Sequence, residues 1–240
     1  MYWKDNFVIN PHDEDINGIV GASAILRYFQ SAAYNYHKAY PPSIKDMAAA
    51  GIGFILSKCA ISFYAPVYAY DDVMVKTWDS HSRGPVFNRS YAMYRGELPV
   101  AEMTSSWALL SFADRKLLRV EESGLPYEPE TALELDLPKR VRVPDDVTLA
   151  IRGEHIVTYS DCDTNGHMNN TRYPDFLCDF LPDMRGKRVI SIVLSFMNEA
   201  PLGDTIRVYS GSNDDKVWFR TQRGDGLTGV EAEIMLDDIY

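Results

Sequence analysis

The chain repeats part of its own sequence, and this repeat restricts its fold more than any other feature. Residues 13–20 (DEDINGIV) share four positions with residues 161–168 (DCDTNGHM), at an offset of 148. A second pair follows in the same order, because residues 61–75 resemble residues 194–208 at an offset of 133. Self-similarity in a fixed order indicates a structural unit that occurs twice. We therefore expect two related units, of which the first is longer by 15 residues between the two matches.

Each unit begins with a helical pattern. Ile25, Phe29, Ala32 and Tyr36 follow one another at helical spacing and predict a first helix of roughly 12 to 20 residues. In the second unit the pattern predicts a shorter helix over residues 169–180.

Strand patterns follow each helix. Alternating or β-branched and aromatic residues predict four strands in each unit. They cover residues 54–64, 72–78, 87–94 and 100–112 in the first unit, and 189–198, 205–212, 216–222 and 229–236 in the second. We expect the first four to form an antiparallel meander. One helix followed by four or more strands, twice, predicts an α+β fold in which each helix packs on a sheet.

A polar segment rich in proline separates the two units. The prolines between residues 121 and 146 are Pro126, Pro129, Pro138 and Pro144. Such spacing is typical of an ordered or semi-rigid connector. We therefore predict an N-terminal domain at residues 1–120, a connector at residues 121–147 and a C-terminal domain at residues 148–240.

Composition excludes several classes of protein. The net charge of −10 has the wrong sign for a protein that covers a phosphate backbone, so no nucleic-acid partner is expected. The three cysteines are odd in number and form no CxxC pair, which argues against a disulfide framework or a zinc site and favours the cytoplasm. We find neither a signal-peptide pattern nor an apolar run of about 18 residues, so no membrane span is expected.

The repeated Asp-x-Asp-x-Asn-Gly motif also opens the calcium loop of EF-hands. That loop needs a bidentate glutamate at position twelve, where this chain has Ala24 in the first unit and Arg172 in the second. An arginine there would repel the ion, so we expect no metal.

At two aligned positions, only the second unit has a side chain that can transfer a proton. Position 19 is isoleucine, whereas the equivalent position in the second unit is His167, at the predicted entrance to a helix. A helix start offers free N–H groups to a developing oxyanion. Glu199 at the end of an apolar strand could act as a general base, and Pro66 is its counterpart in the first unit. Taken singly, a histidine in a turn and a glutamate at a strand end are more often structural.

Asp163 and Asn165 lie four and two residues before His167 and could orient it or the substrate. Because Asp15 and Asn17 share these positions, a role in the turn explains the two residues about as well as catalysis does.

Residues 163–173 (DTNGHMNNTRY) closely resemble the Asp-x-Asn-x-His-Val-Asn-Asn-x-x-Tyr signature of the acyl-acyl carrier protein (acyl-ACP) thioesterases of plants and bacteria. Residues 53–56, 64–78 and 106–119 also resemble that family, so the similarity covers nearly the whole chain. The resemblance implies a tandem (double) hot-dog fold, in which each of two domains wraps an antiparallel sheet around a helix.

The resemblance also implies an activity. The family hydrolyses the thioester of fatty acyl-ACP and ends chain elongation, with no cofactor. It implies Glu199 as the general base, His167 and Asn165 as groups that position the water or polarise the carbonyl, and Asp163 as their support. Ala200 stands where plant members have a cysteine, which argues against a covalent mechanism, and neither Cys162 nor Cys178 takes its place. Phe176 replaces a tryptophan found in many members.

The first unit resembles the half of the family that binds the acyl chain. Four side chains of its predicted helix are candidates for lining a tunnel: Ile25, Phe29, Ala32 and Ala33. Met47 and Ile55 lie nearby in sequence. Plain core packing is the alternative for each of them, and the sequence does not predict the preferred chain length.

The implied partner, acyl carrier protein, is acidic, so docking on a chain of net charge −10 needs a local basic surface. Two clusters qualify, Lys139-Arg140-x-Arg142 and Arg185-x-Lys187-Arg188. A coenzyme A thioesterase, a hot-dog dehydratase and a non-catalytic acyl-binding module remain alternatives, and a homodimer stays open.

Overall fold

The structure is a computed structural model that describes residues 1–125 and 127–239. Within these residues, eleven strands form one sheet in which all strand pairs are antiparallel. The strands are β1 Tyr2–Val8, β2 Ile52–Phe63, β3 Asp72–Arg83, β4 Val86–Arg95, β5 Leu98–Ser111, β6 Lys116–Leu118, β7 Ala150–Ile156, β8 Lys187–Phe196, β9 Thr205–Asn213, β10 Lys216–Gln222 and β11 Thr228–Asp238. The α-helices are α1 Ala22–Ala39, α2 Ile44–Ala49 and α3 Tyr173–Cys178.

The order of the strands shows the repeat directly. It runs β1-β3-β4-β5-β2-β8-β11-β10-β9-β7, with β6 paired to β5, so the second half mirrors the first. The halves join where β2 pairs with β8, through Ala60 opposite Val193 and Cys59 opposite Leu194. The sheet therefore continues without a break from one unit into the other, and the domain boundaries stay a prediction.

All eight predicted strands are present, but the meander predicted for the four strands of the first unit is wrong in the place of β2. β2 pairs with β5 and not with β3, which leaves its other edge free to pair with β8. The outermost strands, β1 and β7, were not predicted. Neither strand has a fully buried residue. In β1 the charged Asp5 lies between Trp3 and Phe7, and β7 mixes apolar with charged residues, so neither shows the regular apolar alternation that marks a strand in sequence.

The predicted first helix is confirmed. Helix α1 has 18 residues and buries Ile25, Phe29, Ala32 and Tyr36 against the sheet. Its start has no cap from its own side chains. Instead Asp175 of α3 accepts the Ser23 N–H at 3.0 Å, while the Ser23 hydroxyl accepts the Asp175 N–H at 3.0 Å. The two units therefore cap each other's helices.

The second helix is shorter than predicted. A 3₁₀ turn at Asn170–Arg172 leads into α3, which has only six residues. Pro174 is tolerated near the start of the helix, whereas Pro182 disfavours helical backbone at the preceding residue. No helix within the described part of the chain is long and apolar enough to cross a membrane.

The connector packs on the sheet face opposite α1. Strand residues alternate between faces, so Ile61 and Ile192 point toward α1, while Ala60 and Val193 point away from it. The connector covers the second set with Leu135, Leu137, Val141, Val143 and Val147. Its backbone also bonds to the sheet, where the Glu130 N–H donates to the Asp79 carbonyl at 2.8 Å. The connector is therefore ordered; Pro126 lies outside the described residues.

Candidate active site

The repeated motif forms the same tight turn in both units. The Asp163 carboxylate accepts the Asn165 N–H at 2.8 Å, and Gly166 closes the turn with φ +80°. In the first unit Asp15 makes the equivalent bond at 2.7 Å, and Gly18 has φ +69°. The φ values lie in the region that favours glycine. Both aspartates therefore have a structural role, as the sequence allowed.

The segment that follows β8 holds the second turn in place. The Met168 N–H donates to the Ala200 carbonyl at 2.8 Å, and His167 forms a β-bridge with Pro201. In the first unit the Val20 N–H donates to Val67 at the same distance. The turn and the strand end therefore meet in both units, at positions related by the two sequence offsets.

These contacts bring the four predicted catalytic residues together. His167 Nε2 lies 3.4 Å from Glu199 Oε1, and His167 Nδ1 lies 4.0 Å from Asp163 Oδ1. The Asn165 side-chain amide lies 3.5 Å from the second Asp163 oxygen. The His167 side chain is 16% exposed and that of Glu199 60%, so the imidazole lies below a carboxylate that water can reach. In the first unit Ile19 and Pro66 occupy these positions, and neither can transfer a proton.

Fewer N–H groups at the start of α3 are free to bond a substrate than the sequence predicted. The Thr171 N–H donates to the Asn169 side chain at 2.9 Å, and the Asp175 N–H donates to the Ser23 hydroxyl. Two of the amides expected to polarise a substrate carbonyl are therefore already bonded. The Asn165 side chain is better placed for that role, because it lies in the wall of an adjacent cavity.

A cavity of about 620 Å³ adjoins the turn. It lies between the second half of α1, α2 and strands β2 to β5, and the second unit contributes Asp163, Thr164, Asn165 and Asn169 to its wall. Its apolar wall includes Ala33, Ile44, Met47, Ala48, Phe54, Phe87, Phe112 and Leu125. A cavity of this size and lining can hold a small apolar ligand.

Of the four side chains predicted to line an acyl tunnel, the structure places one in this wall, Ala33. Ile25, Phe29 and Ala32 lie in the core between α1 and the sheet, and Ile25 also borders a second cavity beside the first unit's turn. The apolar stripe of a helix faces its sheet, so the sequence located the packed face of α1. The cavity lies along the flank of α1 that carries His37 and Tyr40.

Part of the cavity wall is polar, which the sequence analysis missed. Arg89 Nη2 lies 2.5 Å from Asp79 Oδ1, and their side chains are 6% and 18% exposed. The Tyr36 hydroxyl donates to the other Asp79 oxygen at 3.0 Å, and burial raises the pKa of this phenol to about 12. Burial and the nearby Arg89 charge lower the pKa of His37 to about 3, so its imidazole is neutral. Arg89 is flanked by Asn88 and Ser90 in β4, so the sequence of the strand does not mark the arginine as buried.

None of the three cysteines has the properties of a nucleophile. Burial raises the pKa of Cys59 to about 12, and burial with nearby carboxylates raises the pKa values of Cys162 and Cys178. Because the thiolate is the reactive form, these groups are poorly suited to attack a thioester.

Residues 9–151 match the family model of the thioesterase-like superfamily, which is more than half of the chain. The chain belongs to this superfamily. Residues 145–233 match the C-terminal domain of acyl-ACP thioesterases, the stretch that contains His167 and Glu199. This match confirms the resemblance predicted from the sequence. Together the two matches support hydrolysis of a thioester as the class of reaction.

Solved structures establish the fold. An acyl-ACP thioesterase from Bacteroides thetaiotaomicron is 19% identical, with a TM-score of 0.88 and 98% of each chain covered. A 12:0-ACP thioesterase from Umbellularia californica is 17% identical, with a TM-score of 0.81, and covers 99% of this chain and 97% of that one. No curated protein matches the chain in sequence. The predicted tandem hot-dog fold is confirmed.

Proposed function

We propose that the protein hydrolyses fatty acyl-ACP, releases the free fatty acid and thereby ends chain elongation. The observation that carries this proposal is the approach of His167 Nε2 to Glu199 Oε1, at 3.4 Å, beside a cavity that the other unit largely encloses. The match of residues 145–233 to the C-terminal domain of acyl-ACP thioesterases supports the carrier-bound substrate.

The geometry suits attack by water. Glu199 accepts a proton from the water while the oxygen of that water bonds to the carbonyl carbon of the thioester. The Asn165 amide polarises the carbonyl, and His167 orients the glutamate and the water, with Asp163 behind it. When the carbon–sulfur bond breaks, the proton held by Glu199 passes to the departing sulfur, so the products are a fatty acid and a free thiol. No acyl-enzyme forms and no cofactor takes part.

Coenzyme A thioesters are the alternative substrate, because the same chemistry applies to them. A non-catalytic acyl-binding role is the second alternative. The free thiols of Cys59, Cys162 and Cys178 are consistent with a reaction in the cytoplasm, where thiols stay reduced.

The deciding experiment offers the purified protein acyl-ACP and acyl-coenzyme A thioesters of graded chain length and follows thiol release. We expect higher kcat/KM for the carrier-bound series at equal chain length. A preference for coenzyme A would identify the alternative enzyme, and no release from either series would favour a binding protein. His167→Ala should remove most of the activity, whereas His81→Ala, an exposed histidine in β3, is the matched control.

A further inference from the structure

The cavity beside the candidate active site has more polar groups in its wall than an unsubstituted alkyl chain can use. These groups belong to Tyr34, Tyr36, His37, Asp79, Asn88, Arg89, Tyr91 and Tyr127. Several of these groups are bonded within the protein, such as Tyr36, Asp79, Arg89, Asn88 and Tyr127. A saturated chain that filled the cavity would offer no hydrogen bond to the groups that have no such partner, which is unfavourable. The wall therefore suggests a ligand that has a polar group of its own.

Tyr91 is the clearest sign of such a group. Its side chain is fully buried in β4, and its hydroxyl has no hydrogen-bond partner within residues 1–125 and 127–239. The nearby Ser105 hydroxyl accepts Trp107 Nε1–H at 2.7 Å and donates to the Arg89 carbonyl at 3.3 Å. One lone pair of Ser105 remains, but the Tyr91 hydroxyl does not bond it with normal hydrogen-bond geometry. Buried hydroxyls are nearly always bonded, so an unpaired one in a cavity wall points to a bound partner.

His37 adds a second available group. Its neutral ring packs edge-on to Tyr36 and against Phe54, with centroids 5.2 and 5.9 Å away. Among the described residues we find no hydrogen bond to either of its nitrogens. A neutral imidazole can donate from one nitrogen and accept at the other, so it can bond a hydroxyl or a carbonyl oxygen.

The charges of the wall are already balanced. Arg89 is paired with Asp79, whose second oxygen accepts the Tyr36 hydroxyl. The Arg89 guanidinium also lies over the Tyr36 ring, 4.3 Å from its centre. A charged ligand group would have to compete with this pair, whereas a neutral oxygen needs only the partners that Tyr91 and His37 leave free.

We propose that the cavity binds acyl chains with a neutral oxygen substituent, a hydroxyl or an oxo group, held by the Tyr91 hydroxyl and the His37 imidazole. This inference deepens the proposed function by naming the substrate class, and it rests on that function only for the thioester end of the ligand.

Calorimetric binding of free fatty acids tests the inference without any need for hydrolysis. The ligands are a saturated acid and its hydroxy and oxo derivatives of equal length, with the oxygen at each carbon in turn. We expect at least one derivative to bind roughly three- to tenfold more tightly than its parent, the gain from one net hydrogen bond. Tyr91→Phe should bring that ratio to about one. Tyr209→Phe, which removes a phenol in β9, should leave the ratio unchanged.

Thermal unfolding supplies a second readout. Because the Tyr91 hydroxyl has no internal partner, Tyr91→Phe should unfold at the same temperature as the natural protein or at a higher one. A lower unfolding temperature would show that the hydroxyl is bonded within the protein and would contradict the inference. So would equal binding of every derivative and its parent, or a preference that persists in Tyr91→Phe.

Parallel hydrolysis assays separate this inference from the proposed function. Binding of an oxygenated acid without hydrolysis of any thioester would overturn the proposed function and keep the inference. Hydrolysis of saturated and oxygenated thioesters at equal kcat/KM, with equal binding of the acids, would overturn the inference alone.

Discussion

Asn17 and Asn165 occupy the same position of the same turn, but their side chains make different contacts. Asn17 closes its turn onto the loop before β8, donating to the Met184 and Lys187 carbonyls at 2.9 and 3.0 Å and accepting the Gly186 N–H at 2.9 Å. Among the described residues, the Asn165 side chain bonds only to the Asp163 side chain, at 3.5 Å, and it borders the cavity. The first asparagine therefore stabilises the fold, and the second is available to a substrate.

Replacing each asparagine by alanine should separate these roles. Asn17→Ala loses three hydrogen bonds that link the two units and should lower the free energy of unfolding by about 1–3 kcal/mol. Asn165→Ala should change stability little and lower kcat/KM for thioester hydrolysis by roughly 10²-fold or more, the cost of losing one oxyanion donor. Chemical denaturation and steady-state kinetics on both variants test this pairing. Equal losses of activity without a difference in stability would contradict it.

The two basic clusters lie at opposite ends of β8. The Lys58 side chain donates to the Lys139 carbonyl, and Lys58 pairs with Ser195, only four residues before Glu199. The other cluster, Arg185-x-Lys187-Arg188, lies at the start of the strand, beside the first unit's turn. At about 3.3 Å per residue, Ser195 is roughly 13 Å from Glu199 along the chain, whereas Lys187 is roughly 40 Å away.

We therefore expect Lys139, Arg140 and Arg142 to dock the acidic carrier. The charge reversal Lys139→Glu with Arg140→Glu should raise KM for carrier-bound substrate about 3- to 10-fold, and less at high salt. KM for the coenzyme A thioester should change much less. The pair Arg185→Glu and Lys187→Glu is the matched control. An equal rise in KM for both substrates, or a larger rise with the control pair, would show that the carrier does not dock on Lys139, Arg140 and Arg142.

His37 should make the fold sensitive to acid. Its pKa is about 3 in the folded protein and 6.5 in the unfolded chain, so between these values the unfolded state binds more protons. Stability is therefore lost as the pH falls from 6.5 toward 3, at up to about 1.4 kcal/mol per pH unit from this residue. Urea denaturation of the natural protein and His37→Asn across this window should show a shallower slope for the variant. Identical slopes would mean that His37 titrates normally.

The sequence predicted those parts of the fold whose signals are local. The apolar spacing from Ile25 to Tyr36 located α1, and the shared Asn-Gly turn located both halves of the repeat. The sequence also aligned Glu199 with Pro66, because the match at offset 133 aligns the two strand ends that contact the turns. His167 and Glu199 follow from these alignments, whereas the catalytic roles of Asp163 and Asn165 rest on the resemblance to acyl-ACP thioesterases.

The remaining features depend on contacts between distant residues. The edge strands β1 and β7 are placed by pairing with β3 and β9, which are distant in sequence. The path of β2 to the centre of the sheet depends on β8, which lies in the other unit. The cavity wall combines α1 with residues of four strands and the second turn, so no sequence period distinguishes Ala33 from Ile25 as a lining residue.

The kinetics of Glu199→Gln test the central claim most directly, since the substitution keeps the size of the side chain and removes its ability to accept a proton. With acyl-ACP as substrate we expect kcat to fall by about 10² to 10⁴ while KM stays within a few-fold of the natural value. Glu154→Gln, an exposed carboxylate paired with Arg207, is the matched control and should retain activity. Full activity of Glu199→Gln would contradict the assignment of Glu199 as the general base.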